Sequence, residues 1–304
     1  MSLCLSRLFF FRIAKNVALV FVLASMASMA LASEKPSVTV SILPQKYFVE
    51  KLAGDLLRVN VMVAPGSSPH NYEPTPSQLV ELSRSRIFFS IGVPFERVWM
   101  PRFSETYPRL VMVATDAGIA KRPIADHHHH DDHGHKGHHH GEDFPDPHIW
   151  LAPELVLQQI FTIREGLKKV FPEYAEVFDE GHALFVEKIQ ALDADIRKLL
   201  APKAGTAFFV FHPSWGYFAH AYGLEQIPVE VGGREPTPRE LSRLIRMAKD
   251  KKAAAIFIQP QFSERAAKIL AESVQAEVIT MDPLAENWPD NLLKAAGVLS
   301  RHLR

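Results

Sequence analysis

Four side chains have the type and setting to hold a metal ion: His70 in "GSSPHNYEPTPSQ", His148 in "DPHIWLAPE", His212 in "FVFHPSWGYFA" and Asp282 in "ITMDPLAEN". Each is next to a proline, whose fixed φ stiffens the backbone and presets the direction of its neighbour. Three imidazoles and one carboxylate suit Zn2+, which takes nitrogen ligands at about 2.0–2.1 Å and oxygen at a similar distance in a tetrahedral array. Cu(I) would call for thiolate or thioether, and Ca2+ or Mg2+ for oxygen alone. The single cysteine, Cys4, is too close to the N-terminus to help. The wide spacing of the four residues carries no specificity of its own, and Glu73 competes with Asp282 for the fourth place.

Nine more histidines crowd into "DHHHHDDHGHKGHHHGED", Asp126 to Asp143: His127, His128, His129, His130, His133, His135, His138, His139 and His140. Asp126, Asp131, Asp132, Glu142 and Asp143 interleave them. The tract is internal, irregular and acidic, unlike a purification tag. Its composition points to weak binding of several metal ions or to a solvated insert. Gly134, Gly137 and Gly141 favour disorder without metal. Of the remaining histidines, His182 and His302 read as solvated surface and His220 as packing. Trp150, Trp215, Tyr217 and Phe218 read as a dry surround for the metal or as plain core.

Positioning such ligands needs a scaffold, and the chain offers two alternating series. Short β-branched runs at 38–43, 58–63, 86–92 and 109–114 predict buried parallel strands, with helical spacing at Gln45–Ala53 and Pro76–Ser85. Thr75 is the predicted N-cap of the second helix and Pro76 its first residue. A second series at 206–212, 227–231, 253–260 and 276–282 alternates with helical patterns at Thr237–Lys251, Ser263–Ser273 and Asn287–Leu303. The expected fold is α/β: two lobes, each a mostly parallel sheet flanked by helices. Ligands of open α/β sheets gather beyond the carboxyl ends of the strands. That rule places His70, His212 and Asp282 in one cleft, with His148 entering from the segment after the tract.

Between the series, residues 153–170 and 172–199 predict two helices, the second about 40 Å long and a stiff spine. Gly181 inside it reads as a mild cost. The expected organisation is a signal peptide at 1–32 and a first lobe at 33–171. A linking helix at 172–200 and a second lobe at 201–304 follow. The signal rests on Arg7, Arg12 and Lys15, an apolar run from Val17, and Ala30-Leu31-Ala32, with cleavage expected after Ala32. Equal numbers of Lys+Arg and Asp+Glu, 34 each, argue against a nucleic-acid partner.

These motifs, with "SILPQKYFVEKLAGD", "GREPTPREL" and "MDPLAENW", resemble the metal-specific substrate-binding proteins of bacterial ABC importers, most closely the ZnuA-like zinc branch. The resemblance spans Ser37 to Trp288. It implies a periplasmic receptor that binds Zn2+ between two lobes and hands it to an ABC permease with its ATPase, as a monomer and with no catalysis. It also carries the family's ligands onto His70, His148 and His212, and its variable fourth position onto Asp282. The manganese branch places a carboxylate where His212 stands. Other classes are a zinc-dependent hydrolase, with Glu73 or Glu230 as base, and a storage protein or adhesin. No H-E-x-x-H pair supports the hydrolase. In this reading the tract collects zinc and passes it on through His148.

Overall fold

The structure is a computed structural model that describes residues 35–124 and 145–303. The signal at 1–32, the cleavage point after Ala32 and the tract Asp126–Asp143 with its nine histidines lie outside the described residues.

Among the described residues, eight strands form two four-stranded parallel sheets. The first joins β1 (Ser37–Val40), β2 (Arg58–Val61), β3 (Ser85–Ser90) and β4 (Val111–Ala114) in the order β2-β1-β3-β4. The second joins β5 (Ala207–Val210), β6 (Glu225–Pro228), β7 (Ala255–Ile258) and β8 (Glu277–Thr280) in the order β6-β5-β7-β8. Their central strands are apolar on both faces because helices cover both. Val38, Val40, Ile87 and Phe89 are fully buried, as are Val210 and Ile256. The strands are shorter than the apolar runs suggested. After Val40 the chain turns at Ser41–Ile42 into helix α1 (Leu43–Ala53), started by Pro44.

Helix α2 (Pro76–Arg84) begins as the sequence required: Thr75 accepts from the Gln78 amide, and Gln78 Oε1 accepts from the Thr75 amide at 3.0 Å. Helix α3 (Pro94–Thr106) was not foreseen. It fully buries Phe95, Glu96 and Phe103, lays Trp99 and Met100 partly against the core, and carries Pro101 inside it, so it has little periodic signal.

The spine is helix α4 (Pro153–Val170), a tight turn at Pro172–Tyr174, and helix α5 (Ala175–Leu200). Helix α5 buries Phe178, Phe185, Ile189, Leu192, Ile196 and Leu200, a seam at helical spacing. It packs against α1 and α4, and against the C-terminal helix. Gly181 is more than a mild cost: a Cβ there would lie 2.5 Å from the Leu52 carbonyl oxygen, so glycine is what lets α5 touch α1.

The second sheet is flanked by α6 (Gly216–Ala221), α7 (Pro238–Asp250), α8 (Arg265–Val274) and α9 (Trp288–His302). The short α6 was also not foreseen. A clasp closes the base of the tract. Pro123 and Pro145 form an antiparallel bridge, and the Asp146 amide donates to the Arg122 carbonyl at 2.7 Å. Tyr217 on α6 reaches across: its hydroxyl donates to the Asp146 carbonyl and accepts from the Arg122 amide, both at 2.9 Å. No helix among the described residues is long and apolar enough to cross a membrane.

Candidate metal centre

His212 lies two residues past β5, where the backbone leaves the sheet. Gln259, just after β7, holds it there by accepting from the His212 amide at 3.0 Å and donating to its carbonyl at 2.6 Å. The ring stacks on Phe262 at 4.6 Å between centroids. Its Nδ1 is 2.8 Å from Glu230 Oε1, and both side chains are almost wholly buried.

His148 opens the tight turn Ile149–Leu151. Asp146 Oδ1 accepts from the His148 amide at 2.9 Å and lies 2.6 Å from its Nδ1. The following turn is tied toward the second lobe. Trp150 Nε1 donates to the Pro283 carbonyl at 2.7 Å, and Trp288 Nε1 donates to the Trp150 carbonyl at 2.6 Å.

His70 sits in the long segment between β2 and α2 and is half-buried. Its amide donates to Ser68 Oγ at 3.3 Å, and its Nε2 lies 3.0 Å from His212 Nε2. Among the described residues nothing hydrogen-bonds its Nδ1.

The three rings converge, and one nitrogen from each lies within 4.8 Å of the others. A carboxylate only accepts, so Asp146 and Glu230 hold the proton of His148 and His212 on Nδ1 and leave each Nε2 lone pair facing inward. Burial, then the neighbouring His212 and His148, lowers the His70 pKa from 6.5 to about 3. Burial also lowers that of His212, against the pull of Glu230. Neutral imidazole is the form that binds metal.

The structure brings together His70, His148 and His212 and leaves out the other two candidates. Asp282 follows β8 as expected, but its Oδ1 accepts from Gln261 Nε2 and the Leu284 amide, each at 2.9 Å. Glu73 is exposed. Sequence reasoning missed Asp146, Gln259 and Phe262, and took Glu230 only as a candidate base. An acid two residues before a histidine was a usable signal for Asp146; Glu230 had none, being distant in sequence. Trp150 does border His148, at 5.2 Å between rings, while Trp215 and Phe218 pack on each other. His220 is exposed rather than packed. His182 and His302 are partly buried rather than solvated: His182 lies beside Arg164, and His302 Nδ1 is 2.8 Å from the Val298 carbonyl.

Fold and site together define a two-lobed α/β protein with a histidine cluster suited to a small cation. The chain belongs to the ZnuA family, described as the periplasmic component A of the zinc-uptake complex, whose model matches residues 38–296. It is 35% identical to a ZnuA of known crystal structure, with a TM-score of 0.81, covering 88% of this chain and 99% of that one. A deletion mutant of ZnuA with zinc bound matches at 35% identity and a TM-score of 0.80, covering 88% of this chain and 98% of that one. The zinc-binding lipoprotein AdcA of Streptococcus pneumoniae is 27% identical over 258 residues, 83% of this chain and 51% of AdcA. The chain thus spans about half the length of the AdcA proteins it matches.

Proposed function

We propose that the protein is the zinc receptor of an ABC importer. It would be exported by a signal cleaved after Ala32 and act in the periplasm as a monomer. There it would capture one Zn2+ between its lobes and deliver it to the permease and its ATPase. The observation that carries this reading is the convergence of three imidazoles, two of them oriented by buried carboxylates. Donation from three imidazole nitrogens favours Zn2+ over Mn2+, which prefers oxygen. Membership in an uptake family supports binding without catalysis.

In this reading His70, His148 and His212 are the ligands. Asp282 becomes the fourth by exchanging its bond from Gln261 for the metal. The lobes are 33–171 and 201–304, joined by 172–200. The histidines of the tract collect zinc and feed it to the site through His148. Similarity to a zinc-bound ZnuA mutant supports the choice of metal. The test is a competitive titration of Zn2+ against Mn2+ on metal-free protein lacking residues 127–140, with bound ions counted by elemental analysis. One tightly bound zinc is expected. No tight site without the tract would transfer the metal-binding role to the tract itself.

A further inference from the structure

The three histidines are held in place by different means. Gln259 bonds both the amide and the carbonyl of His212, and Asp146 bonds the amide of His148. His70 is steadied through its neighbours, and one residue grips both of them. The Phe95 amide donates to the Pro69 carbonyl at 3.1 Å. The Phe95 ring meets the Tyr72 ring edge-on, at 5.7 Å between centroids. Phe95 is 3% exposed and follows Pro94 in the first turn of α3. An amide in a first helical turn has no intrahelical acceptor, so Phe95 can bond Pro69 at no cost to the helix.

Phe95 is in turn held by Glu96. Val93, at the N-cap of α3, makes no side-chain bond to the start of the helix. Glu96 anchors that start from inside. Its Oε1 accepts from the Ser41 hydroxyl and from the Ile91 amide at 3.0 Å, and its Oε2 accepts from the Gly92 amide at 2.7 Å. Ser41 follows β1, and Ile91 and Gly92 follow β3, the two central strands of the first sheet. One carboxyl group thus ties the first turn of α3 to the ends of both strands. At 5% exposure a carboxyl is costly to bury, and an apolar side chain would fill the place more cheaply. What an apolar side chain lacks is direction, because its contacts would not fix the helix start against two particular strand ends.

We propose that Glu96 is a positioning residue for the metal site: it fixes the first turn of α3 and, through Phe95, sets where His70 stands. The proposal rests on the reading of His70 as a zinc ligand. It gives α3 a task in the first lobe comparable to that of Gln259 in the second, carried out one step further from the ring.

Amide exchange and a double-mutant cycle together test this. Glu96→Leu keeps the bulk and removes all three acceptor contacts. The Phe95 amide should then exchange faster, by a larger factor than the amides of α5. Zinc affinity should fall about tenfold, the low end of what supporting groups around a metal contribute. Glu96→Gln, whose amide oxygen still accepts from Ser41 and Ile91, should recover most of that loss. In a His70→Ala background the loss from Glu96→Leu should vanish, and in a His148→Ala background it should persist. An equal loss in both backgrounds, or a Phe95 amide that stays protected, would overturn the proposal. Should Glu96→Leu not fold, Phe95→Leu replaces it in the cycle. That variant keeps the bond to Pro69, drops the edge contact with Tyr72, and should weaken zinc binding about two- to tenfold. No loss there would also overturn the proposal. If His70→Ala itself leaves zinc affinity unchanged, the ligand reading fails and takes the proposal with it, whereas a proposal that fails alone leaves the His70→Ala loss intact.

Discussion

Both lobes order their strands alike, and both start a helix after their second strand with Glu-Pro-Thr-Pro, at Glu73–Pro76 and Glu235–Pro238. Both starts are capping boxes, Thr75 with Gln78 and Thr237 with Glu240. The segments leading into these helices are used differently. In the first lobe the segment carries His70, which offers a ring nitrogen to the site. In the second it carries Glu230, which offers none and instead orients His212. The turn after each lobe's first strand shows the reverse allocation. Ser41 in the first lobe bonds to Gln45 and Glu96 within its own core, while His212 in the second joins the histidine cluster. A repeated scaffold therefore fixes where a ligand can stand, and the side chain at each turn decides whether one does.

The largest effect should come from truncating the second lobe's member of the histidine cluster. His212→Ala should lower zinc affinity by more than the about 10–100-fold typical of losing a supporting group. A competitive chelator titration measures it, and a smaller loss would shift the weight of binding to the first lobe. Next is the first lobe's buried acid, Glu96, whose pKa burial raises from 4.5 to about 7 despite bonds from Ser41, Ile91 and Gly92. The folded protein holds that proton more tightly than the unfolded chain. The resulting stability is present below pH 4.5 and is lost as pH rises through 7, by about 3 kcal/mol. Denaturant melts across that window should show a fall that Glu96→Gln removes, leaving His212 untouched.

A smaller loss is expected at the spine, which serves both lobes. Gly181→Ala forces a methyl group onto the Leu52 backbone and should cost about 1–3 kcal/mol of stability, read from the same melts. A neutral result would mean that α5 can shift on α1 without cost. Smallest is Tyr217→Phe, which removes the hydroxyl that joins Arg122 and Asp146 to α6 and should cost about 1 kcal/mol. If it also weakens zinc binding, the second lobe positions His148 as well as His212.

Much of this was legible in the residues. Prolines beside His70, His148 and His212 marked turns at which the three rings converge, and alternating apolar runs and helical spacing gave both sheets and the spine. What escaped has identifiable physical causes. Helix α3 fully buries three side chains, one of them the charged Glu96, and contains a proline, so its periodicity is faint. Gly181 looked like a defect because its reason, the backbone of Leu52, lies far away in sequence. Glu230 reaches His212 only after β6 has been laid beside β5. Asp282 was placed on the right turn, but its bond from Gln261 depends on a side chain that no spacing rule foresees.

The bridge between Pro123 and Pro145 has a practical consequence. The two ends of the intervening segment are held together by bonds that do not involve the segment itself. Once the ends are fixed, each doubling of a flexible loop adds only about 0.6 kcal/mol to the entropy cost of closing it. The position is therefore expected to accept an insertion. A fluorescent domain spliced between residues 124 and 145 would sit two residues from Asp146 and four from His148, near enough to report on a metal centre it need not disturb.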